Sequence, residues 1–316
     1  MTTPAGTAGV PAPSDRERIE ADVTRDRIVE LQLNPVKGNF DAAHLREVNR
    51  RIFQDMPGKG FDDVKPGQYR PEVPSGDWMK NRGLETASGN FFVAYSSMNA
   101  ASQTKIDEFL KGAKPEKLAV LDPQQFTKAI AKVYAELDCI HPFADGNSRT
   151  LRTFTKQLAN EAGYDLDWER FNRTAGNRDA LYVARDKAVN AIALPQMQNE
   201  RSMARIVGSM DRLEANKNLE QILDGAARPL RAVAFERDAA ADAVKRHPEL
   251  KGAYRTLTAA AKFADSLEPA DRAKFVDQTR TTIQGTLNAG KLVPEPPMKS
   301  AKKAVSVSHP APSVPK

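Results

Sequence analysis

The twelve residues from His141 to Arg152 hold the side chains best suited to chemistry in this chain. His141 is a candidate general base, because an imidazole exchanges protons near neutral pH. Asp145 offers a hard carboxylate oxygen of the kind that binds Mg²⁺ together with phosphates and water. Arg149 and Arg152 follow, three residues apart. A base, a metal-binding carboxylate and two arginines in so short a segment predict transfer of a phosphoryl or nucleotidyl group from a nucleotide.

The sequence on either side predicts two helices that position this segment. Asp122 followed by Pro123 is typical of a helix start, with an acidic N-cap and proline in the first helical position. Apolar residues then recur on one face as far as about Ile140: Phe126, Ile130, Val133, Tyr134 and Leu137. A second helix is expected from near Ser148 to just before Gly163, with Leu151, Phe154 and Leu158 on its apolar face. The chemistry therefore belongs to a loop between two core helices.

The loop itself has the composition of an anion-binding turn. Gly146 allows the backbone to approach a ligand closely. Asn147 is expected to cap the second helix, whose free N–H groups would then face an anion. Arg149 and Arg152 would lie on one side of that helix and provide two guanidinium groups for a polyphosphate.

These residues resemble the motif of the Fic family, HPFx(D/E)GN(G/K)RxxR. The match covers eight fixed positions: His141, Pro142, Phe143, Asp145, Gly146, Asn147, Arg149 and Arg152. Residues 49–53, 66–70 and 163–168 are also similar to family segments, so the likeness spans roughly residues 25–195. It implies a mainly α-helical fold with a small β-hairpin flap, and transfer of AMP from Mg²⁺-ATP to a Ser, Thr or Tyr hydroxyl of a target protein.

The resemblance also implies a role for each matching residue. His141 would deprotonate the target hydroxyl, and Asp145 would hold Mg²⁺. The nucleotide would be bound by the anion turn and the arginines: Gly146, Asn147, Ser148, Arg149 and Arg152. Phe143 would anchor the loop in the core. Residues 74–93 would form the flap, which pairs with the backbone of the target.

Ser148 departs from the family pattern, because AMP-transferring members usually have glycine there and phosphate-transferring members have lysine. Serine is small and lacks an ammonium group, which favours AMP transfer over phosphate transfer. Two alternatives remain open: transfer of another nucleotide or of phosphate, and a catalytically silent scaffold in which the C-terminal helices are an interaction module. The intact motif argues against the silent scaffold.

Many family members are inhibited by a helix with the pattern (S/T)xxxE(G/N), whose glutamate pairs with the second motif arginine, here Arg152. No glutamate in this sequence is followed by glycine or asparagine. The hypothesis is therefore that a small antitoxin supplies the glutamate from a second chain. The protein would then be the toxin of a toxin–antitoxin pair, or a secreted effector.

The rest of the 316 residues divides by composition. Residues 1–15 are predicted to be disordered, 16–199 to form the catalytic domain, 200–290 to form a helical accessory region, and 291–316 to be a disordered basic tail. The chain has 47 basic and 41 acidic side chains, a net charge of +6. The tail has five lysines against one glutamate, so only 6 − 4 = +2 remains for the other residues. That balance gives no strong signal for nucleic-acid binding.

The sequence also bears on redox chemistry and location. A single cysteine, Cys139, excludes an intramolecular disulfide framework and a cysteine-rich metal site. No apolar run approaches the ~18–20 residues that span a bilayer. The N-terminus has no Sec-type signal pattern. We therefore expect a cytoplasmic protein without membrane contact, or one exported as an effector.

Overall fold

Helices dominate the chain in a computed structural model that describes residues 15–73, 77–213 and 217–296. These residues form the following helices: α1 (Asp15–Leu33), α2 (Ala42–Phe53), α3 (Ala100–Gly112), α4 (Pro115–Leu118), α5 (Pro123–Ile140), α6 (Asn147–Glu161), α7 (Ala175–Ala193), α8 (Glu200–Arg212), α9 (Leu219–Leu223), α10 (Leu230–Arg237), α11 (Ala240–Arg246), α12 (Lys251–Ala264) and α13 (Pro269–Asn288). The strands are β1 (Trp78–Arg82), β2 (Phe91–Tyr95), β3 (Tyr164–Leu166) and β4 (Ala227–Pro229). The predicted mainly α fold is confirmed.

The two helices predicted around the chemical segment lie at the centre of the fold. α5 begins at Pro123, with Asp122 as its N-cap; the Asp122 carboxylate accepts a hydrogen bond from Gln125 N at 2.8 Å. The predicted apolar face of α5 is buried, and α5 packs against α6 and α7. α6 packs against α2 and β3. The loop between α5 and α6 is therefore held at both ends by buried helices.

The predicted flap is an antiparallel hairpin of β1 and β2, in which Trp78 pairs with Tyr95 and Arg82 pairs with Phe91. Residues 74–76 of the predicted flap lie outside the described residues. β2 is buried against α7 and α8, and β1 is the outer strand of this two-stranded sheet. Asp179 of α7 accepts hydrogen bonds from Thr86, which fixes the tip of the flap.

Two of the four apolar clusters among the described residues matter for the division of the chain, a first and a second core. The larger one includes α2, α5 and α6, and it extends to Leu219, Leu223 and Ala227. The smaller one joins α10, α12 and α13, with Phe235 and Ile283 buried in it. β4 pairs antiparallel with β3, so the predicted accessory region is joined to the first core by a sheet. Residues 219–227 thus pack with the first core and Ile206 of α8 packs with β2, whereas residues 232–287 have a core of their own.

The predicted disordered ends fall largely outside the structure. Residues 1–14 and 297–316 lie outside the described residues, while Asp15 begins α1 and residues 291–296 have no helix or strand. Within the described ranges, no helix is both long enough and apolar enough to cross a bilayer.

Candidate active site

Two unusual backbone conformations bend the chain between α5 and α6. His141 has φ +49° and ends α5, with its N–H bonded to Leu137 O at 3.0 Å. Gly146 has φ +71° and begins α6. A Cβ on Gly146 would lie 1.9 Å from Cζ of Phe53, which is buried in α2. Glycine is therefore required at this turn for its conformation and for the space behind it.

Asn147 braces the loop. Its amide oxygen accepts a hydrogen bond from Phe143 N at 3.0 Å, and its amide nitrogen donates to Phe143 O at 2.6 Å. The prediction that Asn147 caps α6 is wrong, because Gly146 is the N-cap and Asn147 is the first helical residue. The buried ring of Phe143 anchors the loop in the core, as expected. The N–H groups of residues 147–149 start the helix and are the ones available to an anion.

Arg70 holds the same loop from the other side. Its Nε donates to His141 O at 2.7 Å, and its Nη2 donates to Ser96 O at 2.6 Å and to Ile140 O at 3.1 Å. The guanidinium also lies over the Trp78 ring, 3.8 Å from the centroid. Burial lowers the pKa of Arg70 to about 10, so the side chain stays charged at neutral pH. Sequence reasoning missed this role, although residues 66–70 were part of the resemblance.

His141 is buried, with 9% of its surface exposed. Its Nδ1 lies 3.2 Å from an oxygen of Asp138, and its Nε2 lies 3.4 Å from Nζ of Lys80 on β1. The Tyr95 ring packs 4.0 Å from the imidazole centroid. Burial lowers the pKa of His141, while the hydrogen bond to Asp138 acts in the opposite direction. A neutral imidazole with Nδ1 on a carboxylate leaves Nε2 to accept a proton.

Asp145 is exposed on the loop, just before α6. Burial lowers the pKa of Lys80 on β1, and the negative charge of Asp145 acts against that lowering. Asp145 is therefore near enough to Lys80 to interact with it electrostatically. Among the described residues, no three His, Cys, Asp or Glu side chains cluster to hold a metal by themselves. One exposed carboxylate beside an anion-binding helix end fits Mg²⁺, which is commonly bound by one or two carboxylates with phosphates and water.

The two motif arginines have different surroundings. Arg149 donates from Nη1 to Thr24 Oγ1 at 2.8 Å and from Nη2 to the Glu20 carboxylate, both on α1. Arg152 lies over the Trp168 ring at 5.7 Å from the centroid. Its Nε and Nη2 atoms are buried and have no hydrogen-bond partner within the described ranges. Arg149 is thus paired with α1, whereas Arg152 keeps binding capacity for an anion.

Both arginines line a cavity of about 1290 Å³ between α1, α4, α6 and residues 35–41. Six basic and four acidic side chains surround it, so its charge is on balance positive. The Trp168 ring supplies part of its apolar wall. His141 is not among the residues that line this cavity.

Three residues near the site were not singled out from sequence: Asp138, Lys80 and Glu20. Asp138 had a usable signal, since it precedes His141 by three residues at the end of a helix, where such side chains are neighbours. Lys80 and Glu20 gave no such signal, because each reaches the site from an element more than 60 residues away in sequence.

Comparison with known proteins agrees with this arrangement. The sequence model of the Fic/DOC family matches residues 39–159. The protein adenylyltransferase VbhT of Bartonella schoenbuchensis is 30% identical over 166 residues, which are 52% of this chain and 30% of VbhT. The probable protein adenylyltransferase Fic of Escherichia coli is 30% identical over 164 residues, which are 51% of this chain and 70% of that protein.

A solved structure also aligns with the chain. It is the N-terminal Fic domain of a putative cell filamentation protein of Bartonella quintana, with bound ADP. It is 20% identical with a TM-score of 0.43, over 72% of this chain and 92% of the solved one.

The loop that holds His141 and Asp145 lies between two core helices and within the residues that the family model matches. The family and its adenylyltransferase-named relatives indicate a transferase. The chain belongs to the Fic/DOC family. It spans less than a third of the length of VbhT, so the activity of that whole protein is not carried over here.

Proposed function

We propose that the protein transfers AMP from ATP to a Ser, Thr or Tyr hydroxyl of a target protein. The observation that carries the proposal is the buried His141 with Nδ1 on Asp138, next to a helix whose first N–H groups are free for a phosphate. The names of the relatives, which are protein adenylyltransferases, support it.

The proposed reaction is an in-line displacement at the α-phosphorus. The target oxygen forms a bond to that phosphorus while its proton passes to Nε2 of His141. The bond to the oxygen that bridges the α- and β-phosphates breaks, and pyrophosphate leaves. The N–H groups of residues 147–149 stabilise the charge on the α-phosphate. Asp145 would hold Mg²⁺, which when bound neutralises phosphate charge.

Of the two arginines, we assign the terminal phosphates mainly to Arg152, because its buried Nε and Nη2 have no hydrogen-bond partner in the part of the chain that the structure describes. Arg149 already donates from Nη2 to Glu20 and from Nη1 to Thr24, so a phosphate would compete with the Glu20 carboxylate for it. Ser148 is half-buried in the first turn of α6 and brings no charge, which is compatible with an α-phosphate bound there. Transfer of another nucleotide or of phosphate remains the alternative tested below.

The target would bind at the flap. β1 is the outer strand of a two-stranded sheet, so among the described strands its second edge is free to pair with an extended peptide. Nζ of Lys80 on that strand lies 3.4 Å from Nε2 of His141. The target hydroxyl would have to occupy this position to give its proton to Nε2. The hydroxyl would therefore displace the Lys80 ammonium from the base.

We further propose that the protein is a toxin held by an antitoxin, or a translocated effector. Arg152 supports a glutamate-bearing antitoxin helix, because its Nε and Nη2 are buried without a hydrogen-bond partner among the described residues, and a carboxylate there would satisfy both. Co-expression with the product of a neighbouring small reading frame, followed by copurification, tests the antitoxin. Expression of the chain alone tests whether it is a toxin, because a toxin should stop growth.

The activity is tested by incubating the full chain and the His141→Ala variant with lysate and ATP labelled at either the α- or the γ-phosphate. Protein label from the α-phosphate that disappears in the variant supports AMP transfer. Label from the γ-phosphate alone would mean phosphate transfer instead. Parallel reactions with α-labelled GTP, CTP and UTP identify the nucleotide. Absence of label with every nucleotide would favour the silent scaffold.

A further inference from the structure

A continuous row of buried charges connects the flap to the base. Arg82 at the end of β1 donates to Asp186 at 2.8 Å, and Arg185 donates to the other oxygen of Asp186 at 2.9 Å. Arg185 also lies 3.0 Å from one oxygen of Asp138, whose second oxygen lies 3.2 Å from Nδ1 of His141. Asp138, Arg185 and Asp186 are each at most 2% exposed.

Burying such a row of charges costs free energy, because their pairing only partly offsets their removal from water. The row is therefore not explained by stability alone. Burial alone would raise the pKa of Asp138, but the Arg185 guanidinium and His141 outweigh it and hold that pKa well below its usual range. The carboxylate therefore stays ionised beside the imidazole across the neutral range.

Resting on the proposed function, we infer that Asp138 is the positioning residue for His141: its carboxylate holds the proton on Nδ1, so that Nε2 is presented as the proton acceptor. Arg185 fixes which oxygen of Asp138 faces the imidazole. The remaining charged or titratable neighbours of His141 are Lys80 on β1, Tyr95 on β2, and Arg70, which donates to the His141 carbonyl. Among the described residues, none of the three is hydrogen-bonded to Nδ1, whose partner is Asp138.

The Asp138→Asn variant is the sharpest test, because Arg185 dictates how the amide must turn. Arg185 is an ion-pair neighbour of Asp138 at 3.0 Å, and its positive charge favours the amide oxygen of the new residue on that side, which leaves the NH₂ group facing Nδ1 of His141. The imidazole would then carry its proton on Nε2, the wrong nitrogen for a base. We expect kcat at pH 7.5 to fall by about 10²–10⁴-fold, with KM for ATP close to the wild-type value.

Asp186→Asn is the matched control. It removes a buried carboxylate from the same guanidinium and does not touch His141. If the row only stabilises the fold, the two variants will lose stability and activity in parallel. If Asp138 positions the base, Asp186→Asn will retain most of kcat while Asp138→Asn will not. Equal losses of kcat in both variants would overturn the inference.

A second measurement needs neither activity nor a folded variant of Asp138. In ¹⁵N-labelled wild-type protein, with the His141→Ala spectrum for assignment, the ring shifts of His141 report which nitrogen carries the proton. A neutral imidazole protonated on Nδ1 supports the inference, and one protonated on Nε2 overturns it. If the wild type transferred no AMP, the proposed function would fail while this spectrum still decided the role of Asp138.

The pH profile gives an independent readout. The Asp138 carboxylate raises the pKa of His141, against the larger lowering effect of burial. Without that charge the imidazole loses its proton at lower pH, so the acid limb of the residual kcat in Asp138→Asn should move to lower pH. An unchanged acid limb would contradict electrostatic contact between Asp138 and the base.

Discussion

Replacing Gly146 by alanine should destabilise the first core much more than the same change at Gly163. Both glycines have positive φ, +71° and +84° respectively. An L-residue in that region costs about 1–2 kcal/mol. At Gly163 a Cβ would meet no heavy atom within 4 Å, so the conformational cost is the whole effect.

At Gly146 the free-energy cost of overlap with the Phe53 ring adds to the conformational cost. The Cβ would lie 1.9, 2.3 and 2.9 Å from three carbons of a ring that is 2% exposed. Forcing an extra carbon into a packed core typically costs about 1–3 kcal/mol. The free energy of unfolding should therefore fall by about 2–5 kcal/mol for Gly146→Ala and by about 1–2 kcal/mol for Gly163→Ala.

Urea unfolding followed by tryptophan fluorescence measures this difference, because both tryptophans of the chain, Trp78 and Trp168, lie outside the second core. Adding Phe53→Leu to Gly146→Ala removes the overlapping ring, and a double-mutant cycle should show that the pair is less harmful than the sum of its parts. Equal losses for the two glycine variants, together with additive effects in the cycle, would refute the steric reasoning.

Three further outcomes follow from the surroundings of single side chains. Arg152→Ala should weaken ATP binding in calorimetry by about 10–150-fold, the loss of one charge-assisted contact, and an unchanged affinity would remove Arg152 from the phosphate site. Glu20→Gln should strengthen ATP binding in the same assay, because it leaves Arg149 without a competing carboxylate, and weaker binding would show that Glu20 instead orients Arg149. Burial raises the pKa of Cys139 to about 12, so Ellman's reagent at pH 8 should label it only after unfolding; rapid labelling of the native protein would contradict its burial.

The helix–loop–helix was predictable because its signals are local. The Asp122 cap with Pro123 and the apolar spacing beyond it fixed the beginning and the face of α5, and both are found as expected. The predicted site residues are also close together because all of them fall within the twelve residues from His141 to Arg152. These residues form the loop and the beginning of α6.

Features that depend on distant parts of the chain were not predictable in the same way. β4 has only three residues and includes Pro229, so no periodicity marks it, yet it pairs with β3 more than 60 residues earlier. Asn147 has the right residue type for an N-cap. Its side chain bonds Phe143 instead, because the loop bends back far enough to bring that backbone within reach.

The arginine pair shows most clearly where residue type and spacing stop being informative. Three-residue spacing correctly indicates that Arg149 and Arg152 lie on one side of α6, and it treats them as equivalent. In the structure the Arg149 guanidinium is paired with Glu20, 129 residues away, whereas two buried nitrogens of Arg152 have no hydrogen-bond partner within residues 15–73, 77–213 and 217–296. An orphan buried donor gains more from an incoming phosphate than a satisfied one, because the satisfied donor must first give up its carboxylate. We therefore expect α1, which lies outside the motif, to decide which of the two arginines binds phosphate first.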